Sequence, residues 1–317
     1  MEIKKTTKKS VFLALAVVLL ISILAVIETI NKKNESANIS NMTTVYQNFD
    51  NEYNINNTSS TNDNVKNNKI SEITIYDIEE GYLTVPYNEE ATKHNYIWEN
   101  LIDNNNLYKY EDKNYYTKLG IDVSSYQGNI DWKAVKEDGI EFAILRLGYR
   151  GYGEKGTLVL DEKFKANYEE ATRVGIQVGI YFFSQAITKE EVLEEVNFVI
   201  NNLEGTKISY PIYYDLEKIK NDTARTDNLT KEEINEFSHI FCNEIQNRGF
   251  NSGIYGNAKT FTTRIELEEF NDITKWYADY QEKPLYPYAF DIWQYTEKGN
   301  VNGIGTKVDI NLQFIKK

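Results

Sequence analysis

Four carboxylates stand where they could act together: Asp122 after Leu119-Gly120-Ile121, Asp215 and Glu217 after Pro211-Ile212-Tyr213-Tyr214, and Asp309 before Ile310-Asn311-Leu312. Each reads as falling at the C-terminal end of a strand. A single acidic residue in such a place often does no more than cap a turn, but the same placement on three separate strands argues against coincidence. In the run Tyr213-Tyr214-Asp215-Leu216-Glu217, the two-residue alternation of an extended chain predicts Tyr213, Asp215 and Glu217 on one face. The backbones of the two acids are then about 6.6 Å apart. At that spacing each charge disfavours ionisation of the other in a poorly hydrated site, so one of the pair should hold a proton near neutral pH. A protonated carboxyl beside an ionised one is the equipment for cutting a glycosidic bond, in which the leaving oxygen takes a proton while positive charge develops on the sugar.

Such acids need a frame that brings strand ends to one place. From residue 119 onward, apolar strand-like runs alternate with helical patterns, the signature of a β/α architecture with a largely parallel sheet. Strands are expected near 119–124, 141–147, 176–183, 210–217, 252–256, 273–278, 289–295 and 307–311. Helical stretches are expected at 130–138, 161–174, 188–202 and 230–248, with a weaker one near 258–269. The later strands have short connections, and a full crossover needs a dozen or more residues. The predicted fold is therefore α/β, a TIM-like (β/α) barrel with eight strands and a reduced number of helices, whose strand ends converge on one mouth.

Composition narrows the chemistry. The chain has 317 residues, 41% hydrophobic and 13% aromatic, enough for one sizeable core with length left over. Its net charge of -13 makes duplex nucleic acid an unsuitable partner, since that binding depends on phosphate neutralisation. Cys242 is the single cysteine, which excludes an internal disulfide and a thiolate metal site. His94 and His239 are too few and too far apart for a zinc site or a Ser-His-Asp arrangement. Carboxylates and aromatics are left to do the work, and neither a metal nor an organic cofactor is called for.

At the N-terminus, Lys4, Lys5, Lys8 and Lys9 precede an apolar run over 11–27 broken only by Ser22, which is the pattern of a secretion signal or signal anchor. The run is longer than a signal core and just long enough to span a bilayer, and Ile23 spoils a small-x-small cleavage site ending at Ala25. A retained transmembrane helix is the favoured reading, with the N-terminus inside and the rest outside by the positive-inside bias; a cleaved, secreted form is the alternative. The expected layout is an anchor or signal over 1–30, an Asn-rich disordered linker over 31–70 and a small extension over 71–118 that packs on the catalytic domain, itself at 119–317. The extension is assigned no chemistry.

The ordered motifs of 119–317 resemble the glycoside hydrolase family 25 lysozymes, the 1,4-beta-N-acetylmuramidases. The resemblance rests on Gly120-Ile121-Asp122-Val123-Ser124 with Tyr126-Gln127-Gly128 and Ile130-Asp131-Trp132, on Phe142-Ala143-Ile144-Leu145-Arg146, and on Val178-Gly179-Ile180-Tyr181-Phe182-Phe183. It continues through Tyr214-Asp215-Leu216-Glu217, Gly253-Ile254-Tyr255, Trp276-Tyr277-Ala278-Asp279-Tyr280, Ile292-Trp293-Gln294-Tyr295 and Val308-Asp309-Ile310-Asn311. It implies hydrolysis of the bond between N-acetylmuramic acid and N-acetylglucosamine in bacterial peptidoglycan, in a groove lined by Asp122, Asp215, Glu217 and Asp309. Glu217 is implied as the proton donor. Asp215 is implied to orient the substrate's own 2-acetamido group as internal nucleophile, one of the exceptions to the two-carboxylate scheme. Asp122 and Asp309 are implied to tune the acid and hold the sugar, although some accounts of the family give Asp122 a more direct part. Phe182 departs from the pattern, since many relatives carry His there.

Among the aromatics, Tyr181, Tyr255, Trp276 and Tyr280 are candidates to contact the glycan, along with Gln294; core packing is the competing fate of any ring. Trp293 and Trp132 lean toward structural positions. Arg146 is a candidate for substrate contact or for a structural ion pair. The expected partner is the peptidoglycan glycan strand, met by a monomeric catalytic domain held at the cell membrane and facing the wall. Two other readings stay open: a catalytically silent wall-binding module, and a hydrolase of another aminosugar polymer such as chitin.

Overall fold

The computed structural model describes residues 71–220 and 222–317. The apolar run at 11–27 and the expected linker over 31–70 lie outside the described residues. Among those described, no helix is long and apolar enough to cross a membrane.

Two hairpins lead the described chain. β1 (Glu72–Asp77) pairs antiparallel with β2 (Gly81–Pro86), and β3 (Leu101–Asn104) with β4 (Leu107–Tyr110). Asn105 and Asn106 join the second pair at φ 56° and 66°. A two-residue hairpin turn of this hand needs positive φ at both central positions, and Asn tolerates that conformation better than most residues. Aromatic rings bind the extension to the C-terminal strands: Tyr96 stacks on Phe314 at 4.0 Å and Trp98 meets Trp293 edge-on at 5.6 Å.

The remaining strands are β5 (Tyr115–Val123), β6 (Phe142–Arg150), β7 (Leu158–Leu160), β8 (Gln177–Phe183), β9 (Ile212–Asp215), β10 (Ser252–Asn257), β11 (Thr274–Ala278), β12 (Ile292–Gly299) and β13 (Val308–Lys316). All but the short β7, which hangs antiparallel on β6, close into an eight-stranded barrel in chain order, with β13 returning to β5. The first barrel strand begins at Tyr115, ahead of the expected edge at 119. Neighbours from β5 round to β12 run parallel, whereas β13 runs antiparallel to both β12 and β5. The reason is length: residues 300–307 between β12 and β13 are too few for a crossover, so the chain turns straight back.

Alternation along the strands sorts the core into two shells. Phe142, Ile144, Tyr213, Tyr255, Trp276, Ala278 and Ile292 pack together inside the barrel, and Ile121, Ala143, Leu145, Ile180, Tyr214 and Ile254 belong to the larger core outside it. The large interior rings need room. A Cβ on Gly120 would lie 2.3 Å from the Phe142 ring, and one on Gly253 would lie 2.4 Å from the Tyr213 ring.

Four helices cover part of the barrel: α1 (Trp132–Glu137), α2 (Phe164–Arg173), α3 (Lys189–Asn202) and α4 (Lys231–Asn247). Their starts follow the sequence. Asp131 accepts from the amides of Lys133 and Ala134, Thr188 from Glu191, and Thr230 and Glu233 form a reciprocal capping box. The helix expected over 258–269 is instead a π turn at Thr260–Arg264 and a 3-10 turn at Leu267–Phe270. Thr262 and Thr263 hydroxyls bond back to the carbonyls of Ala258 and Lys259, each at 2.8 Å, an option that competes with regular helix.

Candidate active site

The four carboxyls meet at one end of the barrel. Asp122 lies at the C-terminal end of β5 and Asp215 is the last residue of β9. Asp309 reaches the same mouth from the start of its strand, not the end, because β13 is antiparallel and sets Asp309 directly opposite Asp122. Glu217 is not on the strand. β9 stops at Asp215, and the loop beyond is pinned where Gln185 donates to the Glu217 carbonyl at 3.1 Å and Arg264 to the Leu216 carbonyl at 3.1 Å. The predicted same-face alternation thus does not apply past residue 215, yet both side chains line one cleft of about 660 Å³ together with Asp122 and Asp309. Asp215 is buried and Glu217 partly exposed.

Burial is the first cause of every carboxyl shift in this cluster. It raises Asp309 to about 9, helped by the neighbouring Asp122 charge and by the hydrogen bond the two acids share. It raises Asp122 only to about 6, because Asn311, Gln294 and Asp309 all donate to it and favour its ionised form. The donors are close: Gln294 Nε2 at 2.9 Å and Asn311 Nδ2 at 2.8 Å, both to Oδ2. Glu217 is raised to about 7 by burial and then by the charge of Glu79. Asp215 is held well above the ordinary range by burial, then by Glu217 and Asp122. Its Oδ1 is buried and has no hydrogen-bond partner in the protein.

The expected substrate contacts divide. Tyr181 and Arg146 line the cleft. Arg146 is also a structural ion pair, 2.8 Å from the buried Asp161, with its guanidinium over the rings of Tyr126 and Tyr149. Trp276, expected in the groove, is 1% exposed inside the barrel and donates its indole N–H to Asn311 at 2.7 Å; a ring enclosed this way offers no face to a sugar. Tyr255 and Tyr280 both donate to Gln294 Oε1 at 2.9 Å. These three, with Trp276 and Asn311, form the network beneath Asp122 and are not part of the cleft lining. Trp132 and Trp293 are buried, as their structural reading expects. Among the described residues, no group of three His, Cys, Asp or Glu side chains is arranged to hold a metal ion.

Residues 121–304 match the model of the Glycosyl hydrolases family 25. The chain belongs to that family. The autolytic lysozyme of Clostridium acetobutylicum is 24% identical over 193 residues, covering 61% of this chain and 54% of that protein, so the chain spans about half the relative's length. Among solved structures, the modular autolysin LytC of Streptococcus pneumoniae has a TM-score of 0.56 at 20% identity, over 81% of this chain and 58% of that one. LytC has also been solved with a synthetic peptidoglycan ligand. The bacterial lysozyme of Streptomyces coelicolor has a TM-score of 0.52 at 25% identity, over 61% of this chain and 90% of that one.

In this family 25 chain, Phe182 points away from the mouth, fully buried with its ring 6.0 Å from Phe198. Sequence reasoning missed the tyrosines that border the cleft: Tyr126, 78% exposed, and Tyr149 and Tyr152 on and beyond the end of β6. A signal was present. The segment 148–156, the last residues of β6 and the loop beyond, carries four glycines and two tyrosines, a stretch suited to projecting rings rather than burying them.

Proposed function

We propose that the barrel hydrolyses the β-1,4 bond between N-acetylmuramic acid and N-acetylglucosamine in bacterial peptidoglycan, with Glu217 as proton donor. The observation that carries this reading is a division of labour inside one cleft: a partly exposed carboxyl held near pH 7 beside a buried carboxyl whose Oδ1 lacks a partner. An acid poised near the working pH transfers a proton efficiently. A buried acceptor without a donor is costly in the empty site and is satisfied when a ligand brings an N–H.

In the proposed step, the substrate's 2-acetamido N–H donates to Asp215 Oδ1, which aims the acetamido carbonyl oxygen at the anomeric carbon. That oxygen bonds to the carbon as the glycosidic C–O bond breaks, and the leaving oxygen takes the Glu217 proton. Water then adds to the same carbon, returns a proton to Glu217 and releases the acetamido group, so configuration is retained. Asp122, kept ionised by its donors, stabilises the developing positive charge, while Asp309 holds a proton and donates to it. Tyr126, Tyr149 and Tyr181 offer ring faces to the glycan.

Family membership supports the hydrolase class, and the autolytic lysozyme relative supports the wall polymer as substrate. The apolar run at 11–27 adds the location to the proposal, a membrane anchor holding the barrel outside against the wall. The experiment is digestion of purified peptidoglycan with the full chain, borohydride reduction and identification of the reduced sugar. Muramitol is the expected product. Glucosaminitol would place the cut at the other bond, release from chitin alone would change the polymer, and no new reducing end with retained binding would leave a wall-binding module.

A further inference from the structure

The turn of the β1–β2 hairpin lies outside the family-matching segment, yet it docks at the same barrel mouth as the carboxyl cluster. Asp77, fully buried, closes the turn by accepting from the amides of Glu79 and Glu80 at 3.0 and 3.1 Å. Its other oxygen accepts from the backbone amide of Lys259, just past β10, at 2.9 Å. Lys259 also pairs with Glu80, and Gln281, just past β11, donates to the Tyr82 hydroxyl at 3.1 Å. Ile78, at the tip, packs on the barrel-interior cluster that contains Tyr255 and Trp276. Glu79 lies 3.6 Å from the ammonium of Lys220, three residues beyond Glu217, and its side chain is only 22% exposed. The cleft in turn is lined from β5 to β9 and by Asp309, with no residue from β10 to β12. The hairpin turn docks just past the ends of β10 and β11, on the side from which the cleft draws no lining residue.

We propose that this turn is a working part of the active site: it ends the groove on the β10–β11 side, and Glu79 is a positioning residue that acts, with Lys220, on the proton of Glu217. The inference rests on the reading of Glu217 as proton donor. The charges of Glu79, Lys220, Asp122 and Arg264 act on Glu217, and Glu217 in turn acts on Asp215 and Asp309. The hydroxyls of Tyr255 and Tyr280 are within its field too. Glu79 is the carboxylate of that set that comes from outside the barrel. It favours the protonated form of Glu217, whereas Lys220 and Arg264 oppose it. The extension thereby supplies a charge that the barrel does not, and the acid is tuned by a segment far away in sequence.

The test is a titration of Glu217 by 13C NMR in full-length protein labelled at the glutamate carboxyl, with the resonance assigned through its loss in Glu217→Gln. Glu79→Gln is expected to lower the midpoint from about 7 by about half a unit or more. Lys220→Met is expected to raise it, and Glu79→Asp to keep it near the wild-type value. The basic limb of the pH profile of kcat/KM should move with the midpoint in each case. A merely structural ion pair would change Tm and leave the midpoint where it was; superimposable titrations of wild type, Glu79→Gln and Lys220→Met overturn the inference. Lys220 is 61% exposed, so its variant keeps the test alive if Glu79→Gln does not fold. Shifted midpoints in a protein that releases no reducing ends would uphold the coupling and sink the hydrolase reading. Hydrolysis with unmoved midpoints would do the reverse.

Discussion

The side-chain amide of Asn311 donates to Oδ2 of Asp122 at 2.8 Å, while its own carbonyl accepts the Trp276 indole N–H at 2.7 Å. A ring sealed in the barrel interior is thereby tied through one amide to a carboxyl at the mouth. Asn311→Leu removes a donor that favours the ionised form of Asp122, so its proton affinity rises above the present value of about 6. If ionised Asp122 stabilises the developing charge, the acid limb of the kcat/KM profile moves to higher pH. The unpaired indole N–H left behind costs about 1–3 kcal/mol, read as a Tm lower by roughly 3–10 °C. A lowered Tm with an unmoved acid limb would show that Asn311 is structural only.

Stability should fall, not rise, between mildly acidic and alkaline pH. Asp122, Glu217 and Asp309 have folded values of about 6, 7 and 9, all above their ordinary ones, and buried Glu195 and Asp279 are each at about 7. A carboxyl raised by folding binds more protons in the folded than in the unfolded chain. Its contribution is complete below the unfolded value and is lost as pH climbs through the folded one. Partly buried His94, lowered to about 4, works the other way and penalises the folded state as pH falls below its ordinary value of 6.5. The expected Tm is highest near about pH 5 and declines toward pH 9, with a shallower decline in Asp309→Asn. A Tm that climbs steadily from pH 5 to pH 8 contradicts this assignment of protons.

Tyr126 should bind glycan without holding up the fold. It is 78% exposed, on the rim of the cleft, with the Arg146 guanidinium over its ring at 5.1 Å. Tyr126→Ala is expected to raise KM about 3- to 10-fold and to leave Tm within about 1 °C, since a surface substitution of this kind removes little packing. Initial rates across a range of soluble glycan concentrations, with a thermal melt alongside, check both halves. An unchanged KM would remove Tyr126 from the binding surface.

The strands were legible because Val, Ile and aromatic runs of barrel length are bounded by Gly, Asn and charged residues; each of the eight barrel strands overlaps the run that predicts it, though β9 ends at Asp215, short of the expected 217, and β13 runs on to Lys316, past the expected 311. The place of Asp122 and Asp215 followed from the same pattern. Three things did not. The direction of β13 depends on the short connection at 300–307, and Asp309 was put at the wrong end of its strand because the runs alone carry no sense of direction. Trp276 and Gln294 face inward by alternation, but whether an inward residue near a strand end reaches the mouth or lies below it is a matter of depth, which a repeat of two does not encode. Glu79 gave no local sign at all. Its link to Glu217 is made by tertiary docking of a hairpin through Asp77, Glu80 and Tyr82, contacts nearly two hundred residues apart along the chain.

The proposed function depends above all on Glu217 delivering the proton to the leaving sugar, and substitution of its carboxyl is the sharpest test. Reducing-end release from peptidoglycan would be measured for full-length wild type and Glu217→Gln under identical conditions, with thermal melts of both. A kcat lower by about 10²- to 10⁴-fold is expected, with a Tm equal to or above that of wild type, because a partly buried carboxyl with a raised proton affinity is replaced by a neutral amide of the same shape. A Glu217→Gln protein that folds and cuts the wall at the wild-type rate would refute the proposal.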